Sequence, residues 1–263
     1  MRKGVNAAQL KALACVTMFI DHFSYALLDV GRKGVYGLIG GGMDETLFYG
    51  RLRRVMWTGR LIGRIAFPIF AFLIAEGFLR TKNRAKYLGR LLLFGLISEY
   101  PFDHAFYPSR AASYACNVYW TLAAGLAAIW TAELLWEKVI LPAVNSRAEG
   151  GAAMTESARV CITALCGFAF GFLALKVNTD YDIYGVLVIV AFYLTRQYLD
   201  LGGVLSLSIL CMQNPIEICG LPGILAIRSY NGERGRQMKW FFYIFYPAHL
   251  MALYLIRKAM IGY

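Results

Sequence analysis

The sequence predicts an all-α protein, a polytopic transmembrane helix bundle of about nine spans. Of the 263 residues, 59% are hydrophobic and only 16% are charged, whereas about a quarter of an ordinary soluble domain is charged. A bilayer core about 30 Å thick takes roughly 20 apolar residues per helix, so the chain has room for about eight to ten spans. We therefore expect one integral membrane domain over residues 1–263 and no separate soluble domain.

Nine apolar segments supply the predicted spans. They cover about 9–29, 61–79, 87–101, 117–137, 158–176, 184–195, 201–213, 218–228 and 240–258. The first is too long for a signal peptide and carries Asp21 and His22, so we expect it to be a retained helix. The seventh and eighth are short and are interrupted near Pro215 and Pro222, which is typical of broken helices that line a cavity.

Basic residues between the spans predict the orientation, because Lys and Arg prefer the cytoplasmic side. The strongest signal is a basic turn formed by Arg80, Lys82, Arg84, Lys86 and Arg90. We predict a multi-pass membrane protein with its N-terminus on the cytoplasmic side. The cytoplasmic loops would lie at about 80–87, 138–157 and 229–239.

The region of about residues 30–60 is predicted to be an external loop. It contains several arginines, and we expect a Gly-rich irregular piece followed by an interfacial helix. The formal net charge of +11 arises from basic residues between the apolar segments. This pattern indicates the lipid bilayer as a partner and argues against nucleic acid.

Charged and titratable residues inside the spans are the candidate functional residues, since each is costly to place in lipid. They are Asp21, His22, Arg64, Glu76, Glu99, Glu133 and His249. With a rise of 1.5 Å per residue, His22 lies roughly 20 Å and His249 roughly 14 Å along their helices. Two histidines at similar depth are suited to proton transfer. The simpler interpretation is that each imidazole packs against its helix and bonds to a backbone carbonyl.

Several other charged residues have more than one interpretation. Glu76, Glu99 or Asp182 are candidate partners for His22, because adjacent helix residues point about 100° apart and Asp21 is badly placed for that role. Arg64 would bind a carboxylate or phosphate, or extend to the interface. Glu76 would otherwise pair with Arg80 at i+4.

Several motifs are absent, and their absence narrows the chemistry. The chain has no P-loop, no GxSxG, no HExxH and no CxxC pair, so we expect neither a nucleotide hydrolase, a serine hydrolase nor a metal site. The basic turn is a candidate for a polyphosphate such as that of coenzyme A, or for anionic lipid.

Several runs, in order from the first helix to the last, resemble the TraX family, which is similar to the wider group of transmembrane acyltransferases. They are Leu10–Ala14, Met18–His22, Gly63–Phe72, Glu76–Phe78, Tyr87–Leu91, Ile97–Asp103, Asn117–Gly125, Asp182–Val186 and Phe242–Leu250. The resemblance implies acetyl-CoA as donor, an amine as acceptor, and an acetyltransferase. The family's namesake is associated with acetylating the N-terminus of pilin.

The resemblance implies a functional role for Asp21 and His22 and for the final Tyr246, Pro247 and His249. On this interpretation the catalytic residues are His22, Asp21 and His249. The cofactor-binding residues are Arg80, Lys82, Arg84, Lys86, Arg90 and Arg64, and the substrate-binding residues are Asn117, Glu99, Asp182 and Tyr246.

His22 would act as general base on an amine or hydroxyl acceptor, or would carry the acetyl group itself. His249, Asn117 or Arg64 would stabilise the oxyanion or hold the acceptor. The acceptor would be a peptide or pilin N-terminus or a cell-envelope molecule.

Two alternatives remain open at this stage. In a proton-coupled transporter or flippase, Asp21, His22, Glu99 and His249 would form a proton relay, with the substrate near Pro215 and Pro222. An assembly subunit without chemistry would need a partner helix to balance its intramembrane charges.

Overall fold

The computed structural model describes residues 4–107, 115–145, 152–236 and 239–261. These residues form helices and turns, with two isolated backbone bridges, Val5 to Tyr230 and Cys116 to Thr179, and no strand. The predicted all-α class is confirmed.

In chain order the elements are α1 (Ala7–Phe23) with a π-helical continuation (Ser24–Val30), α2 (Arg32–Ile39), α3 (Glu45–Gly63), α4 (Ala66–Arg80), α5 (Arg84–Phe106), α6 (Val118–Leu135) with a second π-helical continuation (Trp136–Ile140), α7 (Leu141–Asn145), α8 (Ala152–Lys176), α9 (Asp182–Leu194), α10 (Leu199–Gln213), a 3₁₀ helix (Pro215–Gly220), α11 (Leu221–Arg228) and α12 (Lys239–Ile261). Each predicted apolar segment is helical, although 61–79 includes the end of α3 as well as α4, and 218–228 includes the end of the 3₁₀ helix as well as α11.

The chain divides into two compact units. The first consists of residues Met1–Phe70, Leu96–Ser113 and Asn214–Tyr263, and the second of Ala71–Gly95 and Tyr114–Gln213. Each unit is described by itself, within the described residues.

Helix α1 is central to the first unit and packs against α3, α11 and α12. Its start is fixed by a capping box in which Asn6 and Gln9 bond reciprocally to each other's backbone N–H, which satisfies donors that a helix N-terminus leaves free. Glycines on α3 allow close approach: Gly59 lies against Ser24 and Gly63 lies against Asp21. The polar face of α1 is therefore held close to the backbone of α3.

Most of the region at about 30–60, which was predicted to be an external loop, is helical. The irregular Gly-rich part is confined to residues 40–44, and the helix expected in the Arg-rich part is present as α3. Helix α3 begins at the Asp44 cap, whose side chain accepts from the backbone N–H of Leu47 at 3.0 Å. The arginines of α3 lowered its apparent hydropathy, but Phe48 and Met56 are buried. The tertiary packing of this one face outweighs the polarity of the rest of the helix.

The second unit is built mainly from α6, α8, α9 and α10, with α9 packed against the other three. Helix α9 is apolar on all sides, and Val186 and Ile189 are fully buried. Glycines again set the spacing, since Gly125 of α6 lies against Ile189 and Gly171 of α8 lies against Ile183.

Four helical stretches are long and apolar enough to cross a membrane, by length and composition. They are Ala7–Val30, Glu45–Arg80, Val118–Ala143 and Glu156–Lys176, and two shorter apolar helices are Asp182–Leu194 and Leu199–Gln213. The protein is a helical membrane protein. The count of nine spans and the orientation stay predictions.

The segments predicted to be cytoplasmic loops are partly helical and partly irregular in the structure. At about 80–87 the irregular part is confined to residues 81–83, since α5 begins at Arg84. The loop at about 138–157 is largely helical up to Asn145 and from Ala152 onwards, and residues 146–151 lie outside the described residues. In the loop at about 229–239, residues 229–236 are irregular, and residues 237–238 lie outside the described part.

We predict that Gly63→Ala destabilises the protein by about 1 to 3 kcal/mol, the usual cost of overpacking. A Cβ atom at this position would lie closer to the Asp21 side chain than van der Waals contact permits. The measurement is the free energy of unfolding in detergent micelles.

Gly50→Ala, on the same helix, is the matched control, because its Cβ would meet no atom within 4 Å. We expect Gly50→Ala to be neutral or to stabilise the helix by up to about 1 kcal/mol. Equal effects of the two substitutions would contradict the close packing of α1 on α3.

Candidate functional site

The structure brings the two predicted intramembrane histidines together. His22 of α1 and His249 of α12 have nearly parallel rings, with 5.0 Å between centroids and 6° between planes. The distance from His22 Nδ1 to His249 Nε2 is 2.7 Å, which is a hydrogen bond. His249 is buried, and the His22 side chain is 12% exposed, so His22 is the more accessible of the two rings.

The hydrogen-bond network assigns the tautomers of the two neutral rings. The Nδ1 atom of His249 lies 2.7 Å from the carbonyl oxygen of Phe245. A carbonyl only accepts, so this nitrogen carries the proton and Nε2 of His249 is an acceptor. His22 Nδ1 must then donate to it, which leaves the lone pair of His22 on Nε2.

A buried cluster of four charged side chains adjoins the histidine pair. Arg60 Nη1 lies 2.7 Å from Asp21 Oδ2, and Arg64 Nη2 lies 3.0 Å from Asp21 Oδ1. The second terminal nitrogen of Arg64, Nη1, lies 2.8 Å from Oε1 of Glu217. Two guanidinium groups and two carboxylates balance each other, as buried charges require. We call these residues, Asp21, Arg60, Arg64 and Glu217, the charge cluster.

Asp21 binds the arginines rather than His22. Its Oδ2 atom is 4.0 Å from His22 Nε2, which is too long for a hydrogen bond. The distance is nevertheless short enough for the carboxylate to stabilise a positive charge on the ring. The unprotonated nitrogen of His22 therefore lies beside a carboxylate that two guanidinium groups hold in place.

Aromatic side chains line the other sides of His22. Phe106 and Tyr246 present edges or faces to its ring at centroid distances of 5.1 Å and 5.8 Å. The buried Arg257 of α12 donates to the carbonyl oxygens of His104 and Ala105 at the end of α5. These bonds fix the end of the helix that carries Phe106.

The basic turn predicted to bind cofactor phosphates lies in the second unit. Arg80 is paired with Glu76 at 2.5 Å, which confirms the predicted i+4 pairing. The guanidinium of Arg84 lies 4.4 Å above the ring centre of Phe78. The lysines of the turn, Lys82 and Lys86, are exposed.

The other predicted binding residues are divided between the two units. Asn117 caps α6 by accepting from the Tyr119 backbone and donates to the Gly95 carbonyl at 2.8 Å, which is a structural arrangement. Asp182 begins α9 with a φ of 45°, and with Asn117 it belongs to the second unit. Glu99 lies on α5 within the first unit.

Two members of the charge cluster, Arg60 and Glu217, were not among the candidates from sequence. Arg60 precedes Arg64 by four residues, so the two share a helix face, but its position at the edge of an apolar segment suggested a loop. Glu217 lies between Pro215 and Pro222. The predicted break in the helix at these prolines was the sequence signal that could have identified it. Within the described residues, no group of three or more His, Cys, Asp and Glu side chains is arranged to hold a metal ion.

The model of the family described as TraX protein matches residues 6–257. The chain belongs to the TraX family. The match includes the histidine pair and the whole charge cluster. A similar curated protein is the probable fimbrial assembly protein FimC, serogroup H1, of Dichelobacter nodosus, which is 27% identical over 274 residues covering 94% of each chain. No solved structure matches this TraX-family chain.

We predict that Arg64→Met destabilises this TraX-family protein by about 3 to 5 kcal/mol, the usual cost of removing one partner of a buried ion pair. The substitution leaves Glu217 as an uncompensated charge, while Asp21 keeps Arg60. The measurement is again the free energy of unfolding in detergent.

The double variant Arg64→Met with Glu217→Gln should recover part of this loss, because it removes the stranded charge. Arg53→Gln, an exposed position on the same helix, is the control and should change stability by less than about 0.5 kcal/mol. No recovery in the double variant would contradict the pairing of Arg64 with Glu217.

Proposed function

We propose that this protein is a membrane-embedded acetyltransferase of the transmembrane acyltransferase group. It would transfer an acetyl group from acetyl-CoA to an amine or hydroxyl acceptor. The observation that carries the proposal is the assigned lone pair on His22 Nε2 beside Asp21 and two guanidinium groups. This combination supplies a base, a group that stabilises the protonated base, and donors for an oxyanion.

The proposed reaction begins with the acceptor near His22 Nε2. As the acceptor nitrogen or oxygen attacks the thioester carbonyl carbon, Nε2 takes its proton and the carbonyl oxygen becomes an oxyanion. Arg60 and Arg64 are the nearest cations available to stabilise that charge. When the tetrahedral intermediate collapses, the C–S bond breaks and the imidazolium returns the proton to the CoA sulfur.

His249 and Asp21 have supporting roles in this scheme. His249 Nε2 accepts a hydrogen bond from the Nδ1–H group of His22, which keeps the proton on Nδ1 and the lone pair on Nε2. Asp21 stabilises the imidazolium that forms during transfer. This division of roles follows the general logic by which a base is oriented through its second nitrogen.

The membrane-spanning helix supports the location of the reaction, and the curated relative supports the choice of acceptor. His22 lies in a helix long and apolar enough to span a bilayer, which supports a reaction at the membrane. The relative from Dichelobacter nodosus is named for fimbrial assembly, which supports a protein amine, such as a subunit N-terminus, as the acceptor. We place the protein in the bacterial inner membrane with its N-terminus inside, and the phosphates of acetyl-CoA at the basic turn.

A proton-coupled transporter or flippase is the second candidate. It is favoured by Glu217, which is only 3% exposed and whose Oε2 atom has no hydrogen-bond partner among the described residues. A buried carboxylate oxygen of this kind is suited to carrying a proton. Reconstituted vesicles separate the two functions, because a transporter moves solute without consuming acetyl-CoA.

We predict that the purified protein releases free CoA thiol from acetyl-CoA and acetylates a peptide with a free N-terminus. His22→Ala should lower kcat by about 100-fold or more, the usual contribution of a general base. His249→Ala should lower it less, since the base remains but its tautomer is no longer fixed. The readouts are thiol release and the mass of the peptide.

His104→Ala is the matched control, because the His104 ring bonds to the carbonyl of Tyr100 outside the histidine pair. The same peptide with a blocked N-terminus controls for the acceptor. Full acetyl transfer by the His22→Ala protein would overturn the proposed function.

A further inference from the structure

A second polar cluster lies within the second unit, around Tyr193 of α9. The Tyr193 side chain is almost fully buried, with 1% exposure, and its hydroxyl donates to Glu133 Oε2 of α6 at 2.6 Å. The ring of Phe78 meets the Tyr193 ring edge to face at 5.7 Å. This pair of rings forms an apolar centre that reaches the end of the unit where α4, α6 and α9 finish.

Three guanidinium groups surround this aromatic pair. Arg159 Nη2 lies 3.0 Å from Glu133 Oε2 and 3.3 Å from the Tyr193 hydroxyl. The guanidinium carbon of Arg84 lies 4.4 Å from the Phe78 ring centre, and that of Arg196 lies 5.3 Å from the Tyr193 ring centre. We call Arg84, Arg159 and Arg196 the arginine triad.

The charges in this cluster do not balance. Glu133 is paired with Arg159, and in the described parts of the chain neither Arg84 nor Arg196 forms an ion pair. Three positive charges against one carboxylate leave an excess of two. All three side chains are half-buried, so water compensates this excess less well than at an open surface.

The chemistry of the triad favours a phosphate. Guanidinium groups are planar donors that bind phosphate oxygens in pairs, and aromatic rings beneath them keep their faces oriented. The triad members come from three separate places in the sequence, the start of α5, the second turn of α8 and the turn after α9. The N-terminus of α5 also contributes partial positive charge at this end.

We infer that the arginine triad is a binding site for a doubly charged phosphate group. This assignment rests on the proposed function, in which the phosphate belongs to CoA. The site would then consist of the basic turn together with Arg159 and Arg196. The headgroup phosphate of an anionic lipid has the same chemistry and is the other source.

The test is equilibrium binding of CoA to the full chain in nanodiscs of neutral phosphatidylcholine. Arg84→Gln and Arg196→Gln should each weaken the Kd of CoA by about tenfold or more. These two substitutions remove no ion pair, so the fold should persist, whereas Arg159→Gln also breaks the pair with Glu133. Inorganic pyrophosphate should compete with CoA on the wild-type protein and less well on the two variants.

Two controls separate this inference from the proposed function. Arg53→Gln, an exposed arginine outside the cluster, should change the Kd by less than about twofold. His22→Ala should bind CoA as the wild type does, because His22 belongs to the transfer step. If His22→Ala kept full activity while the triad variants lost CoA, the proposed reaction would fail and the phosphate site would stand.

Nanodiscs with phosphatidylglycerol identify the source of the phosphate. Loss of phosphatidylglycerol binding in Arg84→Gln and Arg196→Gln, with no change in CoA affinity, would support the site with a lipid phosphate as its ligand. Unchanged affinity for CoA, pyrophosphate and phosphatidylglycerol in both variants would overturn the inference.

Discussion

The buried carboxylate of Asp21 constrains the first unit more than any other single group. It lies on a helix that packs against a glycine-bearing face of α3, at a depth where an isolated charge would be very costly. Arg60 and Arg64, one helical turn apart, bind its two oxygens. Arg64 in turn requires Glu217, so the broken helix near Pro215 is bound to the same centre. One charge thus joins three stretches of chain that are distant in sequence.

The histidine pair depends on this arrangement for its chemistry. Asp21 is bonded to two arginines and lies just beyond hydrogen-bond distance of His22, so the ring donates its hydrogen bond to His249 instead. The consequence is an unprotonated nitrogen that faces the charge cluster. Had Asp21 bonded directly to His22, the carboxylate would have held a proton on that nitrogen, and the ring would have lacked a base on this side.

Five arginines of the described residues illustrate three different environments. Arg60 and Arg64 are neutralised by carboxylates in a buried cluster, and Arg257 is bound to backbone carbonyls at a helix end. Arg84 and Arg196 lie over aromatic rings with no carboxylate paired to them in the described residues. A positive-inside pattern alone treats all of these residues alike. Their partners distinguish the arginines whose charge a carboxylate already balances from those whose charge it does not.

The sequence by itself determined the helical class, the membrane environment and the approximate positions of the apolar helices, and it singled out Asp21, His22 and His249 as candidates. Composition and apolar length suffice for the first three, because the bilayer sets how many apolar residues a span needs. The histidines were identifiable because titratable groups are rare in such segments.

The tertiary structure alone decided which groups meet. The sequence identified Arg64 as a charged residue in an apolar segment but not its pairing with Glu217, since that contact joins residues 153 positions apart. The extent of the helix over Glu45–Gly63 and its packing on α1 were likewise not evident from the sequence, because its arginines lower its hydropathy and its buried face meets a segment distant in sequence. Periodicity reports the properties of one segment at a time, whereas ion pairs and helix packing depend on what a distant segment presents to it.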